Sequence, residues 1–254
     1  MTIESPKAER EIRQAGEIQS RISPWLASSL KPIHSLFMRM YFRIQVHNPE
    51  RVPQDGPVIL APTHRSRWDT FFLHLLTRRY PRFMTSQDEF VGVQGWFIRR
   101  LGAFPVNTRR PTAGVMRHCR ELLLAGEPLV IFPEGTLFYD PPDHIHPIKP
   151  GVSWLALDCQ RRLPDVKLRI LPIRLNYGDR KLRFRSRVDV VVKEPIVVSE
   201  YLDQPREQAI AALSADMERA LGDIVNTSNQ NRIPDRTPHP DVEPDGPSPP
   251  ATGE

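Results

Sequence analysis

PVILAPTHRSRWDTFFLHLL, residues 57–76, sets the pattern of the chain. The short apolar run at 57–61 reads as a strand. A polar turn holding Thr63 and His64 ends it, and 68–78 reads as a helix. Outward from here the same alternation recurs. Residues 82–85, 103–106, 129–132, 168–175 and 188–192 read as strands. Residues 96–101, 113–125, 153–162 and 206–225 read as helices. Strand–helix alternation predicts an α/β fold, a central mostly parallel sheet flanked by helices. The last strand run, KLRFRSRVDVVVKEP at 181–195, has no helix before it. A hairpin and a mixed sheet are expected there.

The flanks of this region differ from it. Residues 1–23 are charged and lack an apolar core, so they read as a polar leader and not a secretory signal. Next, Ile33, Leu36, Phe37, Met40, Tyr41 and Ile44 fall on one helical face, with Ser35, Arg39 and Arg43 opposite. Pro32 suits a first helical turn, and Trp25 and Leu26 precede it. Residues 24–46 are therefore expected to form an amphipathic helix, with its core at 32–44. It either lies in a membrane interface with its arginines toward lipid phosphates or packs on its own domain. Residues 47–225 form the main domain. The tail, 226–254, carries seven prolines and few apolar residues, and it reads as disordered. No stretch reaches the roughly 18 apolar residues of a transmembrane helix.

The net charge of +5 hides an asymmetry. The tail has five acids against two arginines, so the rest of the chain is more basic than the total suggests. A basic body suggests an anionic partner. Nucleic acid would call for aromatics interleaved with basic residues on one sheet face, and that signature is missing, so no nucleic-acid partner is expected. The two cysteines, Cys119 and Cys159, lie in helical stretches among apolar neighbours and read as packing residues.

Two motifs carry chemistry. In THRSRWD, His64 follows a strand and Asp69 lies five residues on. Strand ends are where α/β folds place reacting groups. A histidine there can act as a general base, and an aspartate can hold its other ring nitrogen. A turn histidine beside a helix-start aspartate is the plainer reading of this motif alone. In LVIFPEGT, residues 129–136, Pro133 and Gly135 break an apolar strand and leave Glu134 and the amides of Gly135 and Thr136 at the sheet mouth, where they are candidates for substrate binding. An ordinary turn explains the proline and glycine but not the charge. The run Asp143, His144, Ile145, His146 has metal-ligand residue types, but a solvated loop fits it better, and no metal is expected.

Together, H-x4-D at His64 and Asp69 and FPEGT about seventy residues later resemble the glycerolipid acyltransferases. This is the family of the 1-acylglycerol-3-phosphate acyltransferases. GPVILAPTHRSRWD matches its first block, EFVGVQGWFIRRLGAFPVNTRR its second and PLVIFPEGT its third. HPIKPGVSWLAL resembles the stretch that follows the third, and ILPI around Pro172 the fourth. The resemblance implies an acyl donor on coenzyme A or acyl carrier protein, a lysophospholipid acceptor and no cofactor. It implies His64 as base, Asp69 as its partner, and direct attack without an acyl-enzyme. It further implies a peripheral protein on the cytoplasmic face of a membrane. Basic residues of the second block would hold the acceptor phosphate, which points to Arg109 and Arg110, with Arg65, Arg67 and Lys149 near the same mouth. The sequence departs from the family pattern at Leu137, where arginine is common. It departs again at Thr108, one place before Arg109, and at Gln87 and Asp88, where lysines are common. A different lysolipid, glycerol-3-phosphate, or a non-catalytic lipid-binding role on the same scaffold remain the competing readings.

Overall fold

The computed structural model describes residues 22–106, 112–138, 145–179 and 181–222. Most of the leader, the tail, and Arg109, Arg110, Asp143 and His144 lie outside the described residues. Within them the chain begins with helix α1, Pro24–Tyr41, followed by strand β1, Arg43–His47. Strand β2, Val58–Pro62, leads to a short helix α2, Asp69–Leu73. Strand β3, Arg82–Ser86, helix α3, Gly92–Arg100, and strand β4, Ala103–Val106, follow. Helix α4, Ala113–Leu124, strand β5, Pro128–Val130, and helix α5, Gly151–Arg162, come next. Strands β6, Arg169–Tyr177, β7, Arg187–Val192, and β8, Ile196–Val197, precede the last helix, α6, Arg206–Gly222.

The strands form one sheet in the order β1-β7-β6-β2-β5-β3-β4, with β8 also paired to β6. From β6 to β4 every neighbour is parallel. The expected hairpin is β6–β7, which pairs antiparallel, so the sheet is mixed. Alternation along the central strands feeds two cores. Ile59, Ala61, Leu129 and Ile170 face one side, with Leu123 of α4, Leu155 of α5 and Leu213 of α6. Val58, Leu60, Val130 and Leu171 face the other, with Met38 of α1 and Phe72 of α2. This period of two is what a sheet buried on both faces requires.

Three local readings are corrected. Helix α1 starts at Pro24, whose missing amide costs nothing in a first turn, and Pro32 sits inside the helix. The helix stops at Tyr41 and does not reach residue 46. Arg43–His47 pairs in parallel with β7, and that pairing overrides the helical period through Ile44. The helix read at 68–78 is only Asp69–Leu73. The chain then closes in tighter turns, Leu75 to Phe72 and Leu76 to Leu73, before β3.

Candidate active site

Strands β6, β2 and β5 are parallel neighbours at the centre of the sheet, so their C-terminal ends open on the same edge. His64 stands two residues past β2. Thr63 holds this exit to β6: its amide donates to the Ile173 carbonyl at 3.0 Å, and its hydroxyl accepts from the Leu175 amide at 3.0 Å. Asp69 opens α2 and is fully buried. A buried carboxylate is costly unless its oxygens are satisfied. Oδ2 accepts from His64 Nδ1 at 2.8 Å and from the amides of Arg65 and Ser66 at 2.8 and 2.9 Å. Oδ1 accepts from the Tyr177 hydroxyl at the end of β6. Burial pushes the Tyr177 phenol well above its usual range and the Asp69 charge adds to the effect, so the hydroxyl remains a donor.

This network assigns the imidazole. A carboxylate only accepts, so Nδ1 carries a proton toward Asp69, and in the neutral ring the lone pair lies on Nε2. Nε2 has no hydrogen-bond partner among the described residues, and the side chain is 22% exposed. The ring lies on Phe132, with centroids 3.8 Å apart and planes 23° from parallel. The result is a fixed imidazole with a buried carboxylate behind it and an open nitrogen in front. It has the geometry to take a proton from a hydroxyl and to share the resulting positive charge with Asp69.

The second motif braces the first. Glu134 is buried, and its carboxylate is paired in bidentate fashion with the buried guanidinium of Arg65, Nη2 donating to Oε1 at 2.8 Å. Arg65 Nη1 also donates to the His64 carbonyl at 3.0 Å, and the Phe138 amide donates to the same oxygen at 3.1 Å. The charge after an apolar strand is thus explained by a partner on the neighbouring strand's turn. The expectations that Arg65 stands ready for phosphate and that Glu134 contacts substrate are both corrected by this buried pairing.

A family model described as Acyltransferase matches residues 43–176, more than half of the chain. The chain belongs to the acyltransferase family. It is similar to the 1-acyl-sn-glycerol-3-phosphate acyltransferase of Streptococcus pneumoniae, 29% identical over 163 residues, which are 61% of this chain and 56% of that protein. The match thus spans little more than half of that relative's length. The 1-acyl-sn-glycerol-3-phosphate acyltransferase of Bacillus subtilis is 22% identical over 189 residues, 74% of this chain and 90% of that one. The crystal structure of the 1-acyl-sn-glycerophosphate acyltransferase of Thermotoga maritima shares the fold, with a TM-score of 0.54, 17% identity, and coverage of 84% of this chain and 88% of that one.

The remaining expected residues of this acyltransferase lie as follows. Gly135 has φ +74°, and a Cβ there would meet the Lys149 side chain at 2.6–2.8 Å. Its amide is used within the turn, donating to the Phe132 carbonyl at 3.0 Å. Thr136 is exposed, and its amide has no partner among the described residues. Lys149 is exposed, and its own amide donates to the Pro133 carbonyl at 2.9 Å, which ties it to the same turn. Arg67 is exposed and lies 3.5 Å from Glu89. Arg109 and Arg110 lie outside the described residues. Cys119 and Cys159 are buried, and burial pushes both thiols up to about 12, which leaves neither a ready nucleophile. The sequence reading overlooked Tyr177, which belongs to no motif and lies past the expected strand end. It also left the Arg65–Glu134 pair unread, although a buried glutamate demands a cation.

Proposed function

We propose that this acyltransferase moves a fatty-acyl group from a thioester of coenzyme A or acyl carrier protein onto the hydroxyl of a lysophospholipid. The acceptor we assign is 1-acylglycerol-3-phosphate, and the product is phosphatidic acid. The observation that carries this reading is the 2.8 Å bond from His64 Nδ1 to Asp69 with Nε2 left open. His64 Nε2 takes the acceptor's hydroxyl proton as that oxygen attacks the thioester carbonyl. The tetrahedral intermediate collapses, the C–S bond breaks, and the imidazolium returns its proton to the leaving thiolate. Asp69 keeps the tautomer and balances the imidazolium throughout. No residue of the chain becomes acylated.

Gly135 and Thr136 border the acyl acceptor in this reading. Glu134 acts one step back, as a positioning residue that holds Arg65 and through it the His64 carbonyl. Arg109, Arg110, Lys149 and Arg67 are assigned to the acceptor phosphate. The exposed contact of Arg67 with Glu89 is worth little in water and yields readily to a phosphate. The activity for which the Streptococcus and Bacillus relatives are named supports this acceptor.

The substrates are lipids, so the protein is assigned to a membrane surface, docked there through α1. Among the described residues no helix is long and apolar enough to cross a membrane. Helix α1 instead turns Met38 inward and leaves Ile33, Leu36, Phe37 and Met40 exposed by 64, 62, 47 and 61%. Such a face is stable at an acyl boundary, with Arg39 at the headgroups. A panel assay of purified protein tests the reading. It pairs acyl-coenzyme A and acyl carrier protein donors with lysophosphatidate, glycerol-3-phosphate and lysophosphatidylcholine. Lysophosphatidate should give the highest kcat/KM. A clear preference for another acceptor would reassign the substrate, and no transfer with any pair would remove the catalytic reading.

A further inference from the structure

The loop joining β6 to β7 is built in an unusual way. Leu182 and Arg185 both sit at positive φ, +48° and +65°, a region that residues with side chains enter rarely. Strain of this kind persists where its surroundings fix it and often marks a functional segment. Here the surroundings are plain. Leu182 is buried in the core beneath, and its amide donates to the Asp179 carbonyl at 3.1 Å. The Arg185 amide donates to the carbonyl of Tyr41, the last residue of α1, at 2.6 Å, and the Arg43 amide donates to Ser186 at 2.9 Å. The tip is thereby clamped to the end of α1.

What the clamp displays is a phenylalanine among cations. Phe184 is 67% exposed, and Lys181, Arg183 and Arg185 beside it are all exposed. The acid facing them in this loop is Asp179, 3.8 Å from Arg183. Phe184 meets Tyr41 edge-on at 5.6 Å between centroids, and Tyr41 stacks on Phe37 at 5.7 Å. An unbroken line of rings therefore runs from the exposed face of α1 onto the tip. A large apolar residue held outward by a strained, cationic loop has no use in water.

We propose that the β6–β7 tip is a second lipid-contacting element. It inserts Phe184 into the acyl boundary of an anionic bilayer and sets Lys181, Arg183 and Arg185 against the headgroup phosphates. The proposal rests on the reading of α1 as the docking helix. The charge complementarity of the tip and its continuity with α1 fit a lipid surface. An apolar protein groove would match Phe184 but would leave three cations unanswered.

Vesicle flotation of the full chain tests this, with phosphatidylcholine vesicles and with vesicles containing phosphatidylglycerol. Replacing Lys181→Gln, Arg183→Gln and Arg185→Gln together should weaken binding to the anionic vesicles by about a hundredfold, at a factor of several per cation. It should leave the weak binding to neutral vesicles unchanged. Phe184→Ser should lower binding to both by roughly tenfold, and as a change at an exposed side chain it decides the matter if the triple variant unfolds. Phe37→Asp with Met40→Asp is the control for α1. If that control releases the protein while both tip variants bind as wild type, the tip proposal is overturned and α1 docking stands. If wild type itself fails to float with anionic vesicles, α1 docking is overturned and the tip falls with it. A dimer that the tip variants dissociate, with vesicle binding intact, would give the surface to a second copy and overturn the lipid assignment.

Discussion

Asp69 makes the catalytic reading physical, because a buried carboxylate with four donors is fixed in place. Tyr177 is the donor whose removal tests positioning apart from binding. Tyr177→Phe keeps the ring and its packing and removes one hydrogen bond to Asp69. It should lower kcat about tenfold, as loss of a charge-assisted hydrogen bond implies, with the acceptor's KM unchanged. A raised KM with intact kcat would place Tyr177 in substrate binding. The Arg65–Glu134 pair makes a different prediction, because both groups are buried. Arg65→Met or Glu134→Gln alone should destabilise the fold by about 3–5 kcal/mol, since each strands a buried partner. The double variant should cost much less than the sum in denaturant titrations, and strict additivity would show that the pair is not coupled. His64, Asp69 and Glu134 were legible because each lies in a short local motif. Tyr177 was not, because its role arises from strand pairing 108 residues away along the chain.

Helices α1 and α2 meet at a pair of histidines, and that junction carries a pH signature. His34 and His74 have ring centroids 6.0 Å apart, with Lys31 also on the α1 side. Burial lowers the His74 pKa to about 4, and the His34 and Lys31 charges push it the same way. His34 is lowered as well, by burial first and Lys31 second. The unfolded chain therefore takes up a proton near the ordinary value of 6.5 that folded His74 takes only near 4. Stability falls as pH drops through that window and levels off below it, by about 3 kcal/mol for His74 alone. His74→Leu should flatten the profile between neutral pH and the acid end of the window. Equal slopes for wild type and variant, from unfolding curves, would show that His74 titrates normally. The same junction shows where element boundaries escaped the sequence. Ile44 continues the apolar period of α1, yet the Arg43–His47 segment gains more from the β7 ladder than from another helical turn. Met38 of α1 and Phe42 just past its end are buried, so the helix carries a second, inward apolar side besides the exposed face of Ile33, Leu36, Phe37 and Met40.

At the scale of the whole molecule, the sheet order does the positioning. The strands β6, β2 and β5 come from residues 169–177, 58–62 and 128–130, and only their parallel adjacency brings Tyr177, His64 and Glu134 to one edge. The alternation of strands and helices announced the α/β class, and the run without a helix announced the β6–β7 hairpin. The order of the strands was not legible, because register and neighbour choice depend on contacts between segments far apart in sequence. At that edge His64 is the proposed base. Its most direct test is steady-state acyl transfer to 1-acylglycerol-3-phosphate by His64→Ala, with folding checked by cooperative thermal unfolding. The variant should fold like wild type, with kcat/KM lower by roughly 10²–10⁴, the loss expected for a general base. A folded His64→Ala protein that turns over near the wild-type rate would contradict it.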